Sequence, residues 1–391
     1  MYTLYPYPGV LQNAALDITS DLPVPSGTQT WIHEPSNSLT LLGDFHANYN
    51  TFPYSVVPNV EIVIKGQFPF ARYLSFSVIG NADLTIATVP DYALLPDPGN
   101  TNPFLPGEDW NAKNRSYTLK IRFTAPPENS AHFVPEAGNN IVYAGTMPWG
   151  EPNIQGTIGL RIYAPSIGYN ATGGVGYPEI TYQSVPINNL NLQLSNSIQP
   201  SAKEKPHTPF YTSQEGACAL SWSTLDRKSA LIQYDYNDAY IISSELIRSS
   251  DKLLYLRWKA PSFPNTYHNI GISGMEDMRY WSMSFVSPVG LIGLYTLADF
   301  ETVTDKNGYV NLIISFGAPR PSLVTTENGF NWIDVNHLPL VPLQLFYRNK
   351  IISDSFPYSA KNLESGSIVT SSNMGDYYPC GNYILPESLS M

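Results

Sequence analysis

Arg72-Tyr73-Leu74-Ser75-Phe76-Ser77-Val78 reads again, later in the chain, as Arg279-Tyr280-Trp281-Ser282-Met283-Ser284-Phe285. Each copy is followed by a Thr-x-x-Asp-aromatic step, Thr88 to Tyr92 and Thr296 to Phe300. Each then runs into a tyrosine-led apolar segment ending Phe-x-Ala-Pro, Tyr117 to Pro126 and Tyr309 to Pro319. Matched landmarks in one order predict a duplicated unit. The polar–apolar alternation inside them has the period of a strand.

Working outward, further segments alternate or run apolar over strand lengths. They are Val60–Lys65, Tyr73–Ile79, Tyr117–Phe123 and Ile158–Tyr163, then Leu253–Trp258, Tyr280–Val286, Tyr309–Phe316 and Pro342–Tyr347. Pro96-Asp97-Pro98-Gly99-Asn100 and Asp305-Lys306-Asn307-Gly308 are turn clusters, the second ending in Asn-Gly before a strand. Short helical turns are expected only near Ser243–Ser250 and Ala360–Glu364. The expected fold is all-β: two tandem β-sandwich, jelly-roll-like modules over residues 1–195 and 210–391, with a polar linker at 196–209.

Composition narrows the function classes. Charged residues are 14% of the chain and aromatics 13%, with 27 tyrosines and 34 prolines, so the polar surface comes from Asn, Ser, Thr and Tyr. A net charge of −11 with only 21 Lys and Arg argues against nucleic acid as partner. No apolar run is long enough for a membrane-spanning helix, and the first residues lack the charged and apolar regions of a signal peptide. Cys218 and Cys380 either pair, tying the start of the second module to its end, or stay separate thiols. Asn114-Arg115-Ser116 and Asn170-Ala171-Thr172 would accept glycans at Asn114 and Asn170 in a secretory pathway.

Several motifs carry a resemblance. Gly66-Gln67-Phe68-Pro69-Phe70-Ala71-Arg72-Tyr73-Leu74-Ser75-Phe76, Asp97-Pro98-Gly99-Asn100-Thr101-Asn102-Pro103-Phe104 and Lys259-Ala260-Pro261-Ser262-Phe263-Pro264-Asn265-Thr266-Tyr267 are among them. With Arg279-Tyr280-Trp281-Ser282, Asn331-Trp332-Ile333 and Met374-Gly375-Asp376-Tyr377-Tyr378-Pro379, they resemble a family of uncharacterised, mostly secreted bacterial and fungal proteins. The tandem sandwich is also similar to proteins carrying the domain of unknown function 1214. The resemblance implies a fold and assigns no activity. Relatives usually place cysteines after the Arg-Tyr-Trp-Ser strand and after the Tyr-Tyr-Pro motif. This chain has Met283, Ser284, Tyr383 and Ile384 there, and Cys380 where arginine is more usual. That departure weakens the case for an oxidising compartment.

Candidate chemistry is sparse. His33, Glu34, Asp44 and His46 would suit a transition metal if residues 28–46 formed one hairpin; otherwise the histidines simply face water. Asp91 and Asp299, at equivalent places in the repeats, are the expected partners of Arg72 and Arg279 in structural salt bridges at the sheet rim. Trp110, Trp149, Tyr169 and Tyr177 lie among Gly, Pro and Asn, where a sugar ring or partner surface could stack, or where they cap the sandwich ends. Hydrolase elbows, His-Glu-x-x-His and Cys-x-x-Cys are absent, and Gly173-Gly174-Val175-Gly176 reads as a turn. Paired carboxylates could still be drawn from Glu108, Asp109, Glu301 and Asp334.

The sequence therefore points to a non-catalytic extracellular or cell-surface protein, without cofactor, that binds a surface or glycan or assembles with itself. An extracellular carbohydrate-active or metal-dependent enzyme with a site between the modules is the first alternative. A double jelly-roll viral coat subunit, located in a virion, is the second.

Overall fold

A computed structural model describes residues 30–34, 43–57, 59–81, 84–127, 131–147, 149–185, 218–225, 235, 237–289 and 292–389. The expected linker, 196–209, lies outside the described residues. The first half supplies β1 (Ile32–Glu34), β2 (Ala47–Ser55), β3 (Val60–Gln67), β4 (Ala71–Gly80), β5 (Thr85–Pro90), β6 (Ser116–Arg122), β7 (Phe133–Val134), β8 (Asn140–Tyr143), β9 (Gln155–Pro165) and β10 (Glu179–Ser184). The second half supplies β11 (Trp222–Thr224), β12 (Asp238–Ser243), β13 (Leu253–Lys259), β14 (Met278–Ser287), β15 (Ile292–Ala298), β16 (Tyr309–Ser315), β17 (Phe330–Asp334), β18 (Gln344–Ile352), β19 (Ile368–Val369) and β20 (Cys380–Ile384). The fold is all-β. Among the described residues there is a single α-helical turn, Ser371–Met374, which the sequence reading does not include.

These strands form four sheets, in the orders β1-β2-β9-β4-β5 and β10-β3-β6-β8-β7, then β15-β14-β18-β12-β11-β19 and β17-β16-β13-β20. Pairing is antiparallel except for β6 with β8 and β16 with β17. Each half keeps its main core between its two sheets. In the first, Phe52, Phe76 and Leu160 meet Ile64, Leu119 and Val142; in the second, Met283, Phe285 and Leu345 meet Leu256, Leu312 and Ile314.

The period-two segments fall on strands because one row of each must face that core. β4 and β14 differ from the rest in being buried along their whole length on both faces. Leu74, Phe76 and Val78 point into the first core, and Trp281, Met283 and Phe285 into the second. The alternate row, Tyr73 with Ser75 and Tyr280 with Ser282, is covered by the opposite half of the chain. The tyrosines of the repeated motif therefore pack between the halves; they do not fill a sandwich core.

One expectation needs correction. Ser243–Ser250 is not helical: its backbone bonds go outward, Leu246 N to Leu343 O and Ile247 N to the Tyr383 hydroxyl. The short helical turn expected near Ala360–Glu364 is present as a 3-10 turn, Ala360–Asn362, with its N-terminus capped by Ser359. Cys218 and Cys380 form a disulfide with their Cα atoms 5.1 Å apart, fastening the entry to β11 to β20.

Candidate functional site

Among the described residues, the densest chemistry lies where the outer faces of β2, β4 and β9 meet those of β12, β14 and β18. Ala47, Tyr73, Tyr163, Ala164, Tyr280 and Ala298 form a small apolar cluster drawn from both halves. Around it sit five buried acids, Asp44, Asp91, Asp235, Asp238 and Asp299, and five buried bases, Arg72, Arg161, Arg279, Arg348 and Lys350. A buried charge is tolerable only when paired and hydrogen-bonded, and this set balances.

The pairing runs crosswise. Arg72 Nη1 lies 2.7 Å from Asp299 Oδ2, and Arg279 Nη1 lies 3.2 Å from Asp91 Oδ1. Each arginine of the repeated motif thus holds the aspartate that follows the other copy. Each aspartate also accepts a backbone bond two residues beyond its own half's arginine: Leu74 N to Asp91 Oδ2 at 2.9 Å, and Trp281 N to Asp299 Oδ2 at 3.2 Å. The guanidinium of Arg72 sits over Phe263 and that of Arg279 over Phe104, so each cation is also capped by a ring of the other half. Both Asp91 and Asp299 are fully buried, which places these pairs inside an interface and not at a rim. Burial pushes each carboxyl up to about 6 against the pull of its arginine and its backbone bonds.

A second exchange is made by the short segments entering β2 and β12. Asp44 reaches Tyr280 OH at 2.9 Å, Ser282 Oγ at 2.7 Å and Arg348 Nη1 at 2.6 Å. Asp235 reaches Tyr73 OH at 2.8 Å and, within its own half, Lys350 Nζ at 3.0 Å. Both acids turn the local chain the same way, Asp44 Oδ1 accepting from His46 N and Asp235 Oδ1 from Asn237 N. Burial favours protonation of each, but the facing cations outweigh it: Arg348 holds Asp44, and Lys350 with Arg161 holds Asp235, below the ordinary carboxylate value. Opposite the two arginines of the motif, Ala164 and Ile351 adopt left-handed backbone, with φ of 41° and 46°. A β-branched residue there is strained, and strain of this kind persists only where surrounding contacts over-determine it.

The sequence-derived metal set does not assemble. His33 stands opposite Asn50 in the β1–β2 ladder and bonds its side chain at 3.1 Å, while Glu34 stands opposite Tyr49. Asp44 is consumed by the interface, and His46 Nε2 meets Glu301 at 2.8 Å. Burial lowers the His46 value, but the Glu301 bond and Asp44 outweigh it and raise the imidazole above its ordinary range. No group of three or more metal-binding side chains occurs among the described residues.

The four aromatic candidates separate too. Trp110 is 3% exposed and belongs to the first core. Trp149, Tyr169 and Tyr177 are exposed by 49%, 41% and 43%. Trp149 precedes β9 and Tyr169 follows it, so the length of that strand, about 35 Å, lies between them. Tyr169 stacks flat on Phe70 at 4.6 Å, and the missing side chain of Gly174 leaves room for its ring, which a Cβ there would meet at 2.4 Å. Asn114 and Asn170 are on exposed loops; Asn114 Nδ2 donates to Gly99 O, and Asn170 Oδ1 accepts from Thr172 and Gly174.

Asp235, Asp238, Arg161, Arg348 and Lys350 were missed in the sequence. For the bases the signal was a basic residue inside an apolar strand, Arg161 alone between Leu160 and Ile162 and the alternating Arg348-Asn349-Lys350 between Tyr347 and Ile351; Asp235 and Asp238 had none.

No family model and no curated protein matches the chain. Among solved structures it is similar to an uncharacterised protein from Burkholderia cenocepacia, at 12% identity over 89% of this chain and 78% of that one, with a TM-score of 0.49. It is also similar to a protein from Vibrio parahaemolyticus, at 12% identity over 86% of this chain and 92% of that one, with a TM-score of 0.43.

Proposed function

We propose that this chain is a non-catalytic scaffold that binds or assembles at a surface, built from two copies of one jelly-roll-like sandwich. The orders β2-β9-β4-β5 and β12-β18-β14-β15 correspond, as do β10-β3-β6-β8 and β20-β13-β16-β17, each of the latter with one parallel pair. That parallel pair departs from a wholly antiparallel jelly roll.

The observation that carries the functional reading is the balanced interface. Its ionisable groups are engaged with one another across or along the seam, so they hold the halves together and offer no open pair of acid and base to a substrate. Buried side chains meet one another between the halves, where the first alternative places an enzyme site, and this favours the scaffold reading. Exposed Trp149 and Tyr177 remain as contact residues for a partner or glycan. The disulfide is compatible with an extracellular or cell-surface setting.

Light scattering across a concentration series, with electron micrographs and a glycan array, tests the reading. Ordered assemblies or glycan binding that weakens on Trp149→Ala are the expected results. A strict monomer that binds no glycan would overturn it, and closed shells in the micrographs would select the coat-subunit alternative.

A further inference from the structure

Lys350 is fully buried on β18, a strand inside the six-stranded sheet. Lysine is almost never fully buried without a specific partner. Here the Nζ atom lies 3.0 Å from Asp235 Oδ2 and 2.5 Å from Asp238 Oδ1. Asp238 and Lys350 are directly opposite one another on the adjacent antiparallel strands β12 and β18. The rings of Tyr73 and Tyr163 cover the nitrogen, with centroids 4.1 and 4.5 Å away. On the far side of the Asp238 carboxyl, the Tyr240 hydroxyl donates to Oδ2.

We propose that Lys350 and Asp238 become joined by an intramolecular isopeptide bond, with Asp235 as the base and Tyr240 as the donor to the developing oxyanion. The two acids differ in the sense the reaction needs. Asp235 is held as a carboxylate by Tyr73, Asn237 and Lys350. Asp238 is pushed up by burial and by the neighbouring Asp235 charge, against Lys350 and Arg348, which favours the neutral acid. A carboxylic acid is a better electrophile than a carboxylate, and a desolvated lysine amine is a good nucleophile.

The Asp235 carboxylate takes one proton from the Lys350 ammonium. The freed amine lone pair forms the N–C bond to Asp238 Cγ, and the carbonyl electrons move onto the oxygen that faces Tyr240. Collapse of that intermediate breaks the bond to the Asp238 hydroxyl. One of the remaining nitrogen protons leaves with this hydroxyl as water, one stays on the amide nitrogen, and Asp235 ends protonated. No oxidant or other co-reactant enters. The low-dielectric, water-poor setting strengthens the electrostatic assistance and disfavours the return hydrolysis.

The test is the mass of the whole chain, denatured and reduced, followed by tandem mass spectrometry of its digest. The expected result is a chain lighter by one water, with the Lys350 peptide linked to the Asp238 peptide. Lys350→Met and Asp235→Asn should each restore the full unbridged mass. A wild-type chain of full mass would overturn the proposal, and this readout needs no variant to fold. So would a water loss that leaves the Lys350 peptide unlinked, a link to Asp235 instead of Asp238, or a bond that still forms in Asp235→Asn.

Discussion

Replacing Arg72 by Met separates the crosswise pairing from the rim pairing that the sequence suggests. The substitution removes the cation beside Asp299 and the donors to Thr266 Oγ1 at 2.7 Å and to Arg279 O at 3.3 Å. Asp299 titrates at about 6 in the folded protein. At pH 7.5 it is ionised beside Arg72, and without the arginine it escapes the cost of a bare buried charge by taking up a proton. Protonation from a value of about 6 at pH 7.5 costs about 2 kcal/mol, which caps the electrostatic loss. Two lost hydrogen bonds add about 1 kcal/mol each. The total, about 4 kcal/mol, lies in the range measured when one member of a buried ion pair is removed.

A double-mutant cycle of Arg72→Met with Asp299→Asn, read by urea denaturation, should give a coupling of about 2 kcal/mol at pH 7.5 that falls below about 0.5 kcal/mol at pH 5, where the carboxyl is already neutral. The cycle of Arg72→Met with Asp91→Asn should stay below about 0.5 kcal/mol at both. A stronger coupling to Asp91, or one to Asp299 that does not change with pH, would refute this reasoning.

The acids of the interface should titrate as two classes. By carboxyl-carbon NMR, Asp91 and Asp299 change near pH 6, while Asp44, and Asp235 wherever Lys350 keeps its free ammonium, stay ionised below the ordinary aspartate value. The sign follows from linkage: the raised pair contributes stability that is present at low pH and lost as pH rises through about 6, whereas the depressed pair contributes stability present above about 4 and lost on further acidification. Four carboxyls titrating together near 4 would contradict the assignment. Separately, Cys218→Ser should cost about 2–5 kcal/mol, because the disulfide closes a loop between residues 162 apart in the chain; an unchanged denaturation midpoint would show that the bond does not constrain the unfolded chain.

Strands were legible in this sequence because each buries at least one row of side chains. Tyr73–Ile79 and Tyr280–Val286 announce β4 and β14 by alternation alone. What covers the second row was not legible. Tyr73, Ser75, Tyr280 and Ser282 are ordinary residues for a solvent-facing row, and only the folded chain brings Asp235 and Asp44 to them. The same reason explains the exchanged partners: a repeat reveals that Arg72 and Arg279 occupy like positions, but the cross-over depends on how the halves dock. His33 and His46 looked like ligands because they are close in sequence, yet the strand register sends one to Asn50 and the other to Glu301. The apolar core was visible in composition, whereas the interface is polar and hides among surface-like letters.

If this seam holds the halves together, they form one body whether or not the chain between them is intact. This is tested most directly by inserting a protease site in residues 196–209 and cutting the purified protein. The disulfide lies within the second half, so after cleavage no disulfide bridges the two fragments. The fragments should co-elute in size-exclusion chromatography with the mass of the uncut chain at pH 7.5. Fragments that elute apart at micromolar concentration would contradict it.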